Sequence, residues 1–117
     1  MKSRLSFHLV LYSALTVFLL AALHAGAAAG GGVDAPAVFA AKCAMCHAKD
    51  GTGLPNWRAK GQPNLADSDW QRSRTDSQIA DAVRNGKGKY MPAFKARLSD
   101  QEINALVGQV RAIGKRR

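Results

Sequence analysis

Several features that would place a chain in a common class are missing from this sequence of 117 residues. No strand-like alternation of apolar and polar residues is present, and no internal repeat, which disfavours sheet and repeat architectures. Acidic residues are few, with 8 against 17 basic ones. Only two cysteines and three histidines occur, so any metal or redox chemistry must rest on a handful of side chains.

Residues 1–29 have the three-part layout of a secretory signal peptide. Lys2 and Arg4 give a basic start, an apolar run covers 7–23, and Ala-x-Ala cleavage sites follow before residue 30. An uncleaved membrane anchor is the alternative, although polar residues dilute the apolar run. We therefore predict export to the periplasm, with attachment to the inner membrane, facing the periplasm, as the alternative.

Cleavage after residue 29 would leave 88 residues, and a domain of that size buries too little apolar surface to be very stable on its own. A disulfide, a metal or a covalently held cofactor usually supplements such a core. Loss of Lys2 and Arg4 leaves 15 basic against 8 acidic residues, a net charge of +7. Because an exported chain rarely meets nucleic acid, we expect an acidic protein face, or an anionic membrane surface, to attract this charge.

Residues 30–35 are predicted to form a flexible lead-in, and residues 36–117 a single domain of three helices and two long loops. The first helix is expected over Ala37–Cys46. Residues 50–70 are dense in turn-forming residues and have no sustained period, which predicts a loop. A loop of that length in a small domain suggests that it wraps a ligand.

Two capping boxes mark the starts of the other helices. Thr75 and Gln78 open a helix that stops at Asn85-Gly86, and after a second loop Ser99 and Glu102 open a helix that ends at Gly114. Apolar residues at helical spacing predict the buried faces of both helices: Ile79 and Val83 in one, Ile103, Leu106, Val107, Val110 and Ile113 in the other.

Cys43, Cys46 and His47 have the Cys-x-x-Cys-His spacing of c-type haem attachment. Two thiols three positions apart on a helix can each add to one haem vinyl group, and the adjacent imidazole can bind the iron. A redox-active disulfide is one alternative, but such disulfides usually lie at a strand-to-helix junction. Structural zinc is another, but it needs four ligands, and His8 and His24 would leave with the signal peptide.

Met91 is the predicted sixth iron ligand. If His47 binds one side of the iron, the remaining soft donors are Met45 and Met91. Met45 lies between the two cysteines, where it cannot reach the opposite haem face. Met91 lies in a loop 44 residues beyond His47; its alternative role is to fill the core. Met/His ligation raises the reduction potential relative to two nitrogen donors and leaves no open position for a substrate.

Several features follow one another along residues 36–113: Phe39, "CAMCH", "KDGTG", "QPNL", "DSDW", "YMPAF" and the closing helix. In this order they resemble the single-haem class I cytochromes c of bacteria. The likeness is greatest to the monohaem domains in c-type subunits of haem-copper oxidases and to small periplasmic carriers. It implies an all-α, small cytochrome c fold, with three main helices and long loops wrapped round one covalently bound haem c.

This resemblance also implies roles for individual residues. Cys43 and Cys46 would bear the thioethers, and His47 and Met91 would be the axial ligands of the iron. The Pro63 carbonyl would accept a hydrogen bond from the other nitrogen of His47. Two further residues belong to the implied haem environment, Leu65 on the haem face and Trp70 either near a propionate or in the core. At the crossing of the first and last helices, Phe39 would pack against Leu106 and Val110. The chain departs from the family there, with Ala35 and Gln109 in place of a glycine and an aromatic residue, so we expect Gly108 to supply the clearance.

We expect a one-electron carrier of a respiratory or dehydrogenase-linked chain, monomeric and not an enzyme. Its partners would be oxidases, reductases or dehydrogenases with acidic faces, steered by a basic ring around Met91 formed by Lys87, Lys89, Lys95 and Arg97. Nucleic acid is not an expected partner, and membrane contact requires an uncleaved first segment. The alternative function is a haem-containing enzyme subunit or gas sensor with a labile Met91.

Overall fold

The computed structural model describes residues 31–116, so the predicted signal peptide lies outside the described residues and remains a prediction. Within the described part, one isolated bridge pairs Lys87 with Met91 and no strand forms. The all-α prediction is confirmed. Residues 31–116 contain six helices, in chain order: α1 Ala35–Lys42, α2 Ala44–His47, α3 Pro55–Arg58, α4 Ser68–Ser73, α5 Asp76–Asn85 and α6 Asp100–Lys115.

Helix α1 begins at Ala35, two residues earlier than the predicted start of the first helix. The Asp34 side chain caps it by accepting a hydrogen bond from the Ala37 N–H at 3.0 Å. Helical geometry is interrupted at Cys43, whose N–H still bonds the Phe39 carbonyl. The single helix predicted over Ala37–Cys46 is therefore two helices, α1 and α2.

Both predicted capping boxes are present. The Thr75 hydroxyl accepts from the Gln78 N–H while the Gln78 side chain accepts from the Thr75 N–H, and Ser99 and Glu102 repeat the arrangement. Helix α5 ends before Gly86, which has a φ of 81°. Helix α6 continues to Lys115, one residue beyond the predicted end.

The long α6 is the centre of the packing, with α1, α4 and α5 against it. Phe39 lies in one buried cluster with Leu106 and Val110, as predicted for the crossing of the first and last helices. The predicted role of Gly108 is wrong. A Cβ at Gly108 would meet nothing within 4 Å, and the residue is exposed on the side of α6 away from its buried stripe. All five predicted apolar residues of α6 are buried: Ile103, Leu106, Val107, Val110 and Ile113.

The segment 50–70 is more ordered than the loop that its turn-forming residues predict. It contains the single turn of α3, which starts at Pro55, and the first residues of α4. Proline suits the first position of a helix because its fixed φ is helical and no N–H is needed there. The Asp67 side chain caps α4 by accepting from the Trp70 N–H at 2.8 Å. Within residues 31–116, no helix combines the length and the apolarity needed to cross a membrane.

Candidate functional site

Cys43, Cys46 and His47 lie where α1 gives way to α2. The N–H groups of Cys46 and His47 both donate to the Cys43 carbonyl, at 3.1 and 2.8 Å, so the segment forms one tight turn. Both cysteines are half-buried free thiols. Burial, with a smaller effect of the neighbouring Cys46, raises the pKa of Cys43 to about 11. Cys43 is therefore a neutral thiol at neutral pH.

His47 is a half-buried imidazole whose Nδ1 is enclosed and has no hydrogen-bond partner. Burial lowers the pKa of His47, which favours the neutral ring, the form that binds a metal. Nδ1 has no hydrogen-bond partner among the described residues, so the predicted bond to the Pro63 carbonyl is absent from this structure. Among the described residues, none fixes the His47 ring through a hydrogen bond at Nδ1.

The segment after His47 turns back onto it. The Gly53 N–H donates to the His47 carbonyl at 2.9 Å, and the Leu54 N–H donates to the Cys46 carbonyl at 3.1 Å. Further along, the Leu65 N–H donates to the Gly51 carbonyl at 2.8 Å. These bonds place the buried side chain of Leu65 in the core beside the turn that carries the cysteines.

Met91 is half-buried and closes a short hairpin with Lys87. The Lys87 N–H donates to the Met91 carbonyl at 3.0 Å, and the Met91 N–H donates to the Lys87 carbonyl at 3.3 Å. The Phe94 N–H donates to the Val83 carbonyl, which ties the loop to the end of α5. Met91 is thus held by backbone contacts on both sides, whereas Met45 is 73% exposed.

The core cluster brings several predicted site residues together from distant parts of the chain. Leu65 belongs to the cluster itself, and Cys43, Trp70 and Met91 pack against it half-buried. Two further predicted residues, Cys46 and His47, follow Cys43 on the same turn. The donor set fits a covalently bound haem. It consists of two thiols, a thioether and a neutral imidazole whose Nδ1 has no hydrogen-bond partner.

Residues 33–108 match the family model described as cytochrome c oxidase, cbb3-type, subunit III. The chain belongs to this family. The chain is similar to the FixP subunit of a cbb3-type cytochrome c oxidase from Azorhizobium caulinodans, 38% identical over 95 residues, which cover 76% of this chain and 30% of that protein. The CcoP subunit from Cereibacter sphaeroides is 34% identical over 77 residues, covering 66% and 26%. This cytochrome c domain thus spans less than a third of these relatives.

A solved structure gives the fold. The c-type cytochrome KustC0563 superposes with a TM-score of 0.66 at 30% identity, covering 69% of this chain and 98% of that chain. The predicted cytochrome c fold is therefore confirmed. In this family, the paired cysteines of the attachment segment imply covalent haem c.

Gln71 and Arg111 fix the Leu65 segment of the cytochrome c domain to α6. The Gln71 amide donates to the carbonyls of Leu65 and Val110, at 2.7 and 2.9 Å. The Arg111 guanidinium donates to the carbonyl and side-chain oxygen of Gln71, to the Arg74 carbonyl and to the Asp76 carboxylate. No local sequence pattern signals this network, because its members lie about 40 residues apart.

Proposed function

We propose that this chain is a periplasmic one-electron carrier that holds one haem c through thioethers at Cys43 and Cys46. His47 and Met91 are the axial ligands in this proposal. When bound, the haem supplies an iron that changes between the ferric and ferrous states. The observation that carries the proposal is the packing of Met91 and Cys43 against one buried cluster.

The chain's own residues perform three tasks. His47 offers a neutral imidazole, because burial lowers its pKa. The Met91 thioether, held by its hairpin with Lys87, would bind the iron together with His47 and would leave no position open for a substrate. Leu65 and Trp70 contribute apolar surface that keeps water away and so tunes the potential. The Trp70 indole near a propionate remains part of the proposal.

A basic surface around Met91 supports docking to acidic partner faces. Lys87, Lys89, Lys95 and Arg97 are all exposed. The relatives named above are subunits of cbb3-type oxidases, which supports an oxidase of a respiratory chain as the partner. Steering by such a ring would accelerate encounter at low salt.

The proposal is tested by expressing the chain with haem attachment machinery and recording a pyridine haemochrome spectrum. We expect one c-type haem per chain in the parent and covalent attachment through a single thioether in C43A or C46A. A ferric charge-transfer band from sulfur to iron is expected in the parent. High-spin iron without this band would contradict the carrier and favour the alternative enzyme or gas sensor. N-terminal sequencing of the exported protein tests cleavage and the periplasmic location.

A further inference from the structure

Trp57, Lys60 and Tyr90 form a contact cluster outside the core, which we call the aromatic clasp. The rings of Trp57 and Tyr90 meet edge to face, with centroids 6.1 Å apart and planes at 70°. The Lys60 ammonium lies 4.4 Å from the Trp57 centroid and 5.1 Å from the Tyr90 centroid. Both ring geometries are favourable, since an edge meets a π-face and a cation lies over both rings.

One side of the clasp is anchored to the turn that carries His47. Trp57 lies in α3, and its N–H donates to the Leu54 carbonyl at 3.0 Å. The Leu54 N–H donates in turn to the Cys46 carbonyl, and the Gly53 N–H donates to the His47 carbonyl. The backbone at Trp57 is therefore tied by hydrogen bonds to the turn that carries Cys46 and His47.

The other side of the clasp is the residue directly before Met91. Tyr90 belongs to the hairpin that the two hydrogen bonds between Lys87 and Met91 close. It is 49% exposed and does not belong to the core cluster. The clasp residues therefore cover part of the Tyr90 ring, which the core leaves uncovered. A force on the Tyr90 side chain acts on the neighbouring Met91 through a single peptide unit.

We propose that the aromatic clasp positions Met91 by joining the hairpin to the segment that follows His47. The inference rests on the proposed function, in which these segments supply the two axial ligands. With the clasp closed, the hairpin resists the displacement needed for the Met91 sulfur to leave the iron. Trp57, Lys60 and Tyr90 are thus positioning residues that stabilise the thioether-bound state and so weaken the binding of an outside ligand.

The test is a titration of the ferric holoprotein with imidazole, a nitrogen donor that competes with the Met91 sulfur. Exchange breaks one iron–sulfur bond and forms one iron–nitrogen bond, with no change of oxidation state. We expect W57L and Y90L to bind imidazole about two- to tenfold more tightly than the parent. The conservative W57F and Y90F variants, which keep a ring at each position, should retain most of the parent behaviour.

Two further comparisons separate the clasp from a general loss of stability. The double variant W57L/Y90L should bind imidazole no more tightly than the stronger single variant, because each change already opens the same contact. K60M should raise the affinity and K60R should not, whereas K115M, which removes an exposed charge from α6, should leave it unchanged. Urea midpoints for all variants show whether the fold is intact.

The outcomes distinguish the two proposals. A parent without the sulfur-to-iron band overturns the proposed Met91 ligation and the clasp with it. A parent that shows the band, with W57L and Y90L binding imidazole like the parent, leaves the ligation standing and overturns the clasp. Effects of W57L and Y90L that multiply in the double variant would also overturn it, since the two rings would then act independently.

Discussion

Gly86 lies so close to Met91 that a Cβ on Gly86 would come within 2.6 Å of the Met91 carbonyl oxygen. It would also lie 3.0 Å from the Ala93 nitrogen, so the obstruction is backbone and cannot rotate away. Gly86 has a φ of 81°, a conformation that side-chain-bearing residues rarely adopt. The absence of a side chain at Gly86 is therefore a condition for the placement of Met91.

Substitution of this glycine should displace the proposed iron ligand. We expect G86A to lose about 3 kcal/mol of unfolding free energy and to weaken the ferric sulfur-to-iron band. G88A is the matched control, because Gly88 also has a positive φ but its Cβ would meet nothing within 4 Å. It should lose about 1 kcal/mol and keep the band. Equal effects of both substitutions on the band would contradict this role of Gly86.

Acid should weaken the start of α6 through Glu102. The backbone N–H and then the hydroxyl of Ser99 hold the pKa of the Glu102 carboxyl below its ordinary value. Because the folded pKa is lowered, this stabilisation is complete above the unfolded pKa of about 4.3 and is lost as the pH falls through the folded pKa. We expect E102Q to make the loss of stability in acid shallower, as measured by urea unfolding at a series of pH values.

The capping box of α5 offers the reciprocal exchange. Gln78 occupies the position that Glu102 has in α6, with the same pair of hydrogen bonds to its N-cap residue. Q78E should therefore steepen the decline of stability in acid while E102Q flattens it. If the unfolding free energy fell with pH in the same way for the parent and both variants, the capping carboxylate would not control the loss of stability in acid.

Arg111 should contribute far more to stability than another paired arginine. Its side chain is 25% exposed and donates to Gln71, Arg74 and Asp76, so R111M would leave the part-buried carbonyl and side-chain oxygens of Gln71 without this donor. We expect R111M to lose about 2–3 kcal/mol of unfolding free energy. R72M removes an arginine paired with Asp69 at the surface, and it should lose at most about 0.5 kcal/mol. Similar losses in the two variants would contradict the network's role.

The proposed basic ring should affect the rates at which an anionic and a cationic redox probe oxidise the protein. Oxidation of the ferrous protein by hexacyanoferrate, an anion, should slow as salt is added, whereas a cationic cobalt complex should react faster. Neutralising Lys87 should reduce this salt dependence more than neutralising Lys115, which lies in α6. A rate that is independent of ionic strength for both probes would exclude electrostatic steering.

The parts of the fold that sequence alone predicts are those fixed by local contacts. Ser99 and Glu102 are three residues apart, so their hydrogen bonds depend only on the helix that they begin. The contact of Trp57 with Tyr90 joins α3 to the loop before Met91, 33 residues along the chain, and neither residue has a periodic pattern around it. Long-range loop contacts of this kind follow from packing that no local pattern encodes.

The errors have equally specific causes. Gly108 follows Val107 by one residue on α6, so a rotation of about 100° carries it off the buried stripe, and the periodicity itself argues against clearance there. The turn of α3 is too short to show a period, and only Pro55 signals it.

The central claim is that His47 and Met91 bind one haem iron that carries electrons, and a potentiometric titration followed by absorption spectroscopy tests it most directly. The parent should titrate as a single one-electron couple and show the ferric sulfur-to-iron band. M91H should lose the band and titrate at a lower potential, because two nitrogen donors then bind the iron, whereas M45L should match the parent, since Met45 is exposed. A parent that lacks the band, or an M91H variant with an unchanged potential, would contradict the claim.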